Sequence, residues 1–383
     1  MSVASRRVLI LPPFREHARR SLREIPETEV IEAPRVAGGP GSADALFAAA
    51  SDAITRYGCT HVVATAERNM ALAGRLRDAH GLTGLNWIQS LGVTDKRCMR
   101  LWAAPLVPMA AAWPSNEVLA NPSVLDGVRE VVVKPAIGAA CRDVERLPVG
   151  AAMSRLRAAA GPWQVEEALD VDVELHCDGY FTDDGALTMV VSAYDRPLLV
   201  SIGTTQASFH LPPEHSLSQR AGQLMNTLLA GIPVSGAVFH AELLVVGERT
   251  LLGEIALRPA SAGIPESLLL HHGVDIWGAF VRLQLGSSPP PVVPAPASWS
   301  GLAGVVSDEA GDLRWQERRL SGLAGVERVE RAGVRWSDRP GTSSAFMWHI
   351  YFRAVSEAEA RALLGRIAAV SAELRHQDEA SQA

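Results

Sequence analysis

The chain has 383 residues, enough for two or three domains, and 48% of them are apolar with a mean hydropathy of +0.09, as in a globular protein. A net charge of −6 argues against a nucleic-acid binder driven by phosphate neutralisation, and no apolar run reaches the roughly 18 residues of a membrane span. Four scattered cysteines, without metal or redox spacing, point to reduced thiols and a cytoplasmic setting.

In chain order, residues 7–11 read as a buried strand stopped by Pro12-Pro13. A helix over 16–24, a strand over 28–31, a helix over 43–57, a strand over 61–65 and a helix over 69–80, closed by Gly81, follow. This alternation predicts a parallel sheet covered by helices, so residues 1–92 form a Rossmann-like domain. No Gly-x-Gly-x-x-Gly follows the first strand, and the dinucleotide fingerprint is missing. A helix over 93–102, with Thr94 as N-cap, opens a small unit over 93–163 and places Lys96 and Arg100 on one face. A strand over 131–134 ends in Lys134, and the small-residue loop 135–142 leads to a helix over 149–159. An ammonium at a strand end beside a loop of small residues is a phosphate cradle in outline, although Gly138 is its one glycine.

A larger α+β unit spans 164–286. Its strands lie over 163–169, 170–177, 179–183 and 187–194, and a polar, turn-rich cover over 202–214 and a helix over 217–230 follow. A hairpin comes next, then helices over 264–271 and 274–285. The Pro-rich stretch 287–298 reads as a linker. The last unit, 299–375, is α+β, with strands near 303–306, 326–331 and 347–352. Its helix opens on the capping box Ser356-Glu-Ala-Glu359, and the polar tail from Arg375 is expected to fray.

The hairpin carries the chemistry. Residues 238–246 and 250–257 alternate around a turn at 247–249, which places Glu242 and Glu254 roughly opposite each other, about 5 Å apart at Cβ. Two carboxylates that close, beside Phe239, Leu243, Leu252 and Ile255, need a cation or a shared proton; Mg²⁺ takes oxygen ligands and often brings phosphates with it. Of 36 basic residues, Lys96 and Lys134 are the only lysines. Arginine serves elsewhere, so these two positions select a compact ammonium. The residues thus point to a metal–nucleotide site, with Arg258 placed to hold an anion.

Five segments, in this order, resemble the ATP-grasp superfamily and its carboxylate–amine ligases, which include D-alanine–D-alanine ligase and the L-amino-acid ligases. They are Thr94–Arg100, Val131–Gly138, Val165–Leu169 with Glu174 beyond, Phe239-His-Ala-Glu242, and Glu254–Pro259. The resemblance implies a fold of a Rossmann-like domain, a small lid-type subdomain and larger α+β parts. It implies that ATP lies against Lys96, Lys134, Glu166, Glu167 and Leu169, with Glu174 on the ribose. Glu242 and Glu254 would hold one or two Mg²⁺, and Lys134 and Arg258 would act in catalysis. The expected reaction activates a small carboxylate as an acyl phosphate and joins it to an amine, such as an amino acid or peptide, as in natural-product biosynthesis. A homodimer is expected, and neither nucleic acid nor membrane is an expected partner. The alternatives are thioester formation, phosphorylation of the substrate, or a catalytically weakened nucleotide-binding module. Two departures stand out: Ala256 replaces the usual metal-ligating Asn, and the phosphate loop reads Gly138-Ala-Ala-Cys.

Plainer readings remain open. Glu166 and Glu174 also read as surface carboxylates, and Arg258 as a structural salt bridge. His240 either serves the site or is a satisfied core histidine. His176 and Asp178 share a face with Glu174 and read equally as ligand contacts or filler. His271-His272 face apart on a helix and do not form a zinc pair. Asp195 and Arg196 have little beyond position to recommend them.

Overall fold

The computed structural model describes residues 6–37, 42–289, 292, 299–307, 313–334, 338, 341–343 and 345–382, with side chains described as far as 374. The first unit contains β1 (Arg6–Leu11), α1 (Glu16–Arg23), β2 (Thr28–Glu32), α2 (Ser42–Tyr57), β3 (His61–Ala64) and α3 (Met70–His80). Its parallel sheet has the order β2-β1-β3. Val8, Leu9, Ile10 and Leu11 are fully buried, as a continuous apolar strand covered on both faces must be.

Next come α4 (Trp87–Gly92) and α5 (Lys96–Ala103). The helix expected over 93–102 therefore starts later, and its cap is Asp95, whose side chain accepts from Arg97 N. Thr94 instead donates its hydroxyl to Ser90 O in the preceding helix. Helix α4, with its Asn86/Gln89 capping box, was not anticipated.

The small unit is built from β4 (Ala112–Pro114), α6 (Ser115–Ala120), β5 (Glu130–Pro135), β6 (Glu145–Pro148), α7 (Val149–Ala158) and β7 (Trp163–Glu167). Its antiparallel sheet has the order β4-β7-β5-β6. Since β7 pairs with β5 and β4, the strand at 163–167 belongs to this sheet, and the chain crosses to the large sheet only after Glu167.

The large unit begins with β8 (Val173–Phe181), β9 (Leu187–Tyr194), α8 (Leu198–Ser201), β10 (Gln206–His210) and α9 (Ser216–Gly231). It continues with β11 (Ala237–Val246), β12 (Arg249–Ala256), α10 (Ile264–His272) and α11 (Ile276–Gln284). The remaining elements are β13 (Trp299–Val305), α12 (Leu313–Ser321), β14 (Val326–Arg331), β15 (Trp348–Ala354) and α13 (Glu357–Gln382). One eight-stranded sheet runs β12-β11-β8-β9-β10-β13-β15-β14. The strands expected to form a C-terminal domain thus extend the sheet of the large unit. Backbone helix continues to Gln382, where a frayed tail was expected. The proposed linker lies mostly outside the described residues.

The register sorts this sheet into two faces. Leu175, Ala193, Phe209, Phe239, Ala303 and Ile350 share one face and pack, all buried, under α9 and α13. Glu174, His176, Ser192, Ser208, His210 and Glu242 share the other, and it too is largely buried. That explains the misreading of 202–214. The stretch Gln206-Ala-Ser-Phe-His alternates as a strand, but its polar half faces a buried polar interior rather than water.

Arg77, 1% exposed, ties the first unit to the large one. It donates to Val62 O (2.7 Å), Leu85 O (2.9 Å) and Gln284 Oε1 (2.5 Å). Replacing it strands three buried acceptors, at a cost of about 3 kcal/mol or more. Arg77→Leu is expected to lower the thermal midpoint by several degrees; a midpoint within one degree of wild type contradicts this role.

Candidate active site

The carboxylate pair depends on a backbone irregularity. β11 and β12 meet at a tight turn where Val246 faces Arg249 and Gly247 takes the left-handed conformation (φ +55°). Continued regularly, that register would set Gly253 opposite Glu242 and send Glu254 to the core face. Instead the ladder slips by one residue: Leu243 faces Leu252, but Glu242 faces Glu254. Gly253 is the extra residue, and a Cβ there would stand 3.2 Å from Glu242 O. This β-bulge turns Glu254 to the polar face, beside Glu242.

Between that face and the small sheet lies a cavity of about 570 Å³. Lys96, Lys134, Glu166, Glu167, Leu169, Glu174, Glu242, Glu254 and Arg258 all line it. Lys96, at the first turn of α5, holds Glu254 at 3.0 Å and donates to Gly138 O at 2.8 Å. Lys134, near the end of β5, holds Glu166 at 2.8 Å, and Arg100 stands 3.6 Å from the same carboxylate. Glu166 thus anchors cations rather than standing at the surface. Glu167 and Leu169 lie on or just after β7, where the chain leaves the small sheet; Glu167 N donates to Ala111 O, and Leu169 O accepts from Arg146. The buried Glu174 accepts from Leu198 N at 2.7 Å.

Negative charge dominates this interior. Burial, reinforced by Glu242, pushes the Glu174 carboxyl up to about 8. Burial also raises Glu254, with Lys96 opposing and Glu67 and Glu242 adding to the rise. Glu242 is lowered despite burial, through the hydrogen bond and charge of His240 and then the two lysines. Carboxylates crowded into a half-buried pair, offering hard oxygens, fit Mg²⁺ by their donor chemistry. Ala256, opposite His240, brings a methyl where a third oxygen would stand.

Three features escaped the sequence reading. Arg258 is gripped by Glu67, through Nη2 and through Nε at 3.1 Å, and also donates to Pro259 O. Glu67 follows β3, at the C-terminal end of a parallel strand, where ligands gather in open α/β sheets; that position was the available signal. Asp178 sits between two imidazoles, with His176 Nδ1 at 2.5 Å and His240 Nδ1 at 2.8 Å, and His240 Nε2 stands 3.5 Å from Glu242. These donor atoms lie within 4.8 Å of one another, a metal-like spacing, but each ring already spends Nδ1 on Asp178. Asp178 therefore works as the anchor of His240, whose charge, favoured by Asp178 over the opposing burial, raises its pKa to about 10. Finally, the small-residue loop after β5 holds Ala140, Cys141 and Asp143 at positive φ (59°, 53° and 59°), a strained backbone of the kind that builds anion nests.

Other expectations fall outside the cavity. Asp195 and Arg196 pair with each other at 3.7 Å. His271 joins a buried network through Ser267 to His210 and through its other nitrogen to Glu327. His272 packs edge-on against His210.

No family model matches the chain. It is 22% identical over 242 residues to an L-arginine-specific L-amino acid ligase of Bacillus subtilis, an alignment covering 60% of this chain and 58% of that protein. The chain thus matches little more than half the length of that curated relative. Among solved structures, it resembles an L-amino acid ligase from Bacillus licheniformis, with a TM-score of 0.66 and 13% identity over 94% of this chain and 97% of that one. It also resembles a carboxyaminoimidazole ribonucleotide synthase from Aspergillus clavatus complexed with ATP, with a TM-score of 0.71 and 16% identity over 97% and 99% of the two chains. The chain has the ATP-grasp fold. Among the described residues, no helix is long and apolar enough to cross a membrane.

The raised Glu174 value has a thermodynamic consequence. Its folded-state pKa exceeds the unfolded one, so the proton stabilises the fold; this contribution is full below about pH 4.5 and is lost as pH rises through about 8. In EDTA, the thermal midpoint of Glu174→Gln relative to wild type should rise between pH 5.5 and pH 8.5. A constant difference would mean that Glu174 is ionised throughout.

Proposed function

We propose that this chain is an ATP-dependent carboxylate–amine ligase. The observation that carries the reading is the convergence of Glu242, Glu254, Lys96 and Lys134 on one cavity. The relative named an L-amino acid ligase and the fold neighbour complexed with ATP support it.

In this reading, adenine docks where the chain crosses between the sheets, against Glu167 and Leu169, and Glu174 meets the ribose. Lys96 and Lys134 exchange a carboxylate partner for phosphate oxygens as point charges, leaving Glu254 and Glu242 to hold Mg²⁺. When bound, Mg²⁺ supplies charge stabilisation to the polyphosphate. A carboxylate oxygen of the first substrate attacks the γ-phosphorus, the bond to the β-phosphate oxygen breaks, and ADP leaves. The resulting acyl phosphate takes an amine at its carbonyl carbon; inorganic phosphate departs and the amine proton is released. Arg258, aimed by Glu67, steadies charge on the substrate oxygens in both steps. A small amino acid or peptide suits both roles.

One observation favours a second reading. Ala256 removes an oxygen ligand, as expected of a nucleotide-binding module that has lost turnover. ADP release that requires both a carboxylate and an amine identifies the ligase; Mg-ATP binding without turnover, whatever the acceptor, identifies the module. For the ligase, Lys134→Ala and Glu254→Gln should each abolish ADP release and reduce the thermal shift given by Mg-ATP. Wild-type ADP release from either variant removes its assigned role. If the metal site is merely weakened, Ala256→Asn should raise turnover severalfold, and no gain would count against that account.

A further inference from the structure

Beyond the phosphate end, the cavity continues over β10 and β13. There the cavity-facing row pairs Ser208 with Leu302 and Gln206 with Gly304. Gly304 lies bare under Phe346: a Cβ at 304 would stand 2.5 Å from the ring. Phe346 is 4% exposed and lines the cavity. The segment after Arg258 forms another wall. At Gly263 (φ +84°) a Cβ would meet His349 and Tyr351 at 3.0 and 3.1 Å, so the backbone is pressed onto β15, and Ala262 and Ile264 on either side line the cavity.

Both walls lead back to the chemistry. Ser343 N donates to Ala140 O of the phosphate loop at 3.0 Å, three residues before Phe346. Arg258 begins the other wall. A carboxylate held beside Arg258, with a phosphate in the loop, would share its cavity with Phe346 and Ile264. Among the described residues, two nearby carboxylates are engaged: Glu330 accepts from Tyr351 OH at 3.0 Å, and Glu266 pairs with His17 at 3.2 Å.

We propose that this chamber, walled by Leu302, Gly304, Phe346, Ala262 and Ile264, receives the side chain of the acid that is phosphorylated, and that this acid is an amino acid with an uncharged, apolar side chain. The proposal rests on the ligase reading. Among the described residues, a guanidinium or carboxylate entering the chamber would lose its water and meet Leu302, Ile264, the Phe346 ring and the neutral Ser208 and Gln206 rather than a counter-ion. An aliphatic chain gains roughly tenfold or more in kcat/KM for each methylene that fits. Phe346 sets the depth, because the missing side chain at Gly304 lets the ring lie flat against the sheet.

The test uses the full chain with Mg-ATP and hydroxylamine as the amine, so that only the acid varies, and reads ADP and hydroxamate. L-leucine and L-methionine should exceed L-arginine and L-glutamate at least tenfold in kcat/KM. Leu302→Asp should shift the ratio of L-arginine to L-leucine at least tenfold towards arginine. Phe346→Ala should shift the ratio of L-tryptophan to L-leucine towards tryptophan; if Leu302→Asp fails to fold, the wild-type panel and this variant still decide. Charged acids turned over as fast as apolar ones would overturn the chamber and leave the ligase standing. No ADP from any amino acid would overturn the chamber, and no ADP with any carboxylate and amine would overturn the ligase as well.

Discussion

The site depends on a single extra residue in β12. A side chain in a strand can face only two ways, so a shift of one residue in pairing exchanges the faces. The bulge at Gly253 makes that exchange partway along the hairpin. On the turn side, Leu252 meets Leu243 in the core; beyond the bulge, Glu254 meets Glu242 over the cavity. Glycine suits the place because its alpha carbon lies close to the Glu242 carbonyl. Without the slip, one carboxylate would enter the apolar core and the other would lose its neighbour.

The same two-sided logic organises the whole large sheet. One face buries aliphatic and aromatic groups under α9 and α13, and that face supplies the stabilising apolar burial. The other buries carboxylates, histidines and hydroxyls and pairs most of them with one another, leaving His176 Nε2 and Ser300 Oγ without a hydrogen bond. Such a face is costly unless every charge finds a partner, and the pairings show how this is met. Lys96 answers Glu254, Lys134 answers Glu166, and His176 and His240 share Asp178. The Arg258–Glu67 pair extends the scheme to the first unit, so a guanidinium that lines the cavity is held by a carboxylate from the turn after β3.

Some of the fold was legible because local pattern and final environment agree. The β1 run is apolar throughout and ends up covered on both faces, and α3 stops at a glycine in the left-handed region. Where environment overrode pattern, the reading failed. Gln206–His210 reads as a polar loop because its polar half lies against a buried polar interior. Thr94 is an acceptable N-cap by type, yet Asp95 caps the helix because the chain is still leaving α4 at residue 94. The strand at 163–167 was divided from its sheet because antiparallel partnership with β5 leaves no mark in the strand itself.

By itself, the sequence determined which charged side chains the cavity gathers. Two lysines among 36 basic residues, two glutamates on one hairpin and an arginine just beyond are composition and spacing, which no packing can change. Only the tertiary structure decided what those groups face. The bulge at Gly253, Glu67 reaching Arg258, and Phe346 lying over Gly304 to close an apolar chamber all join residues distant along the chain or alter a ladder's register. Local sequence fixes periodicity and capping, whereas which faces meet is set by long-range pairing, and there the partner identities of this site were chosen.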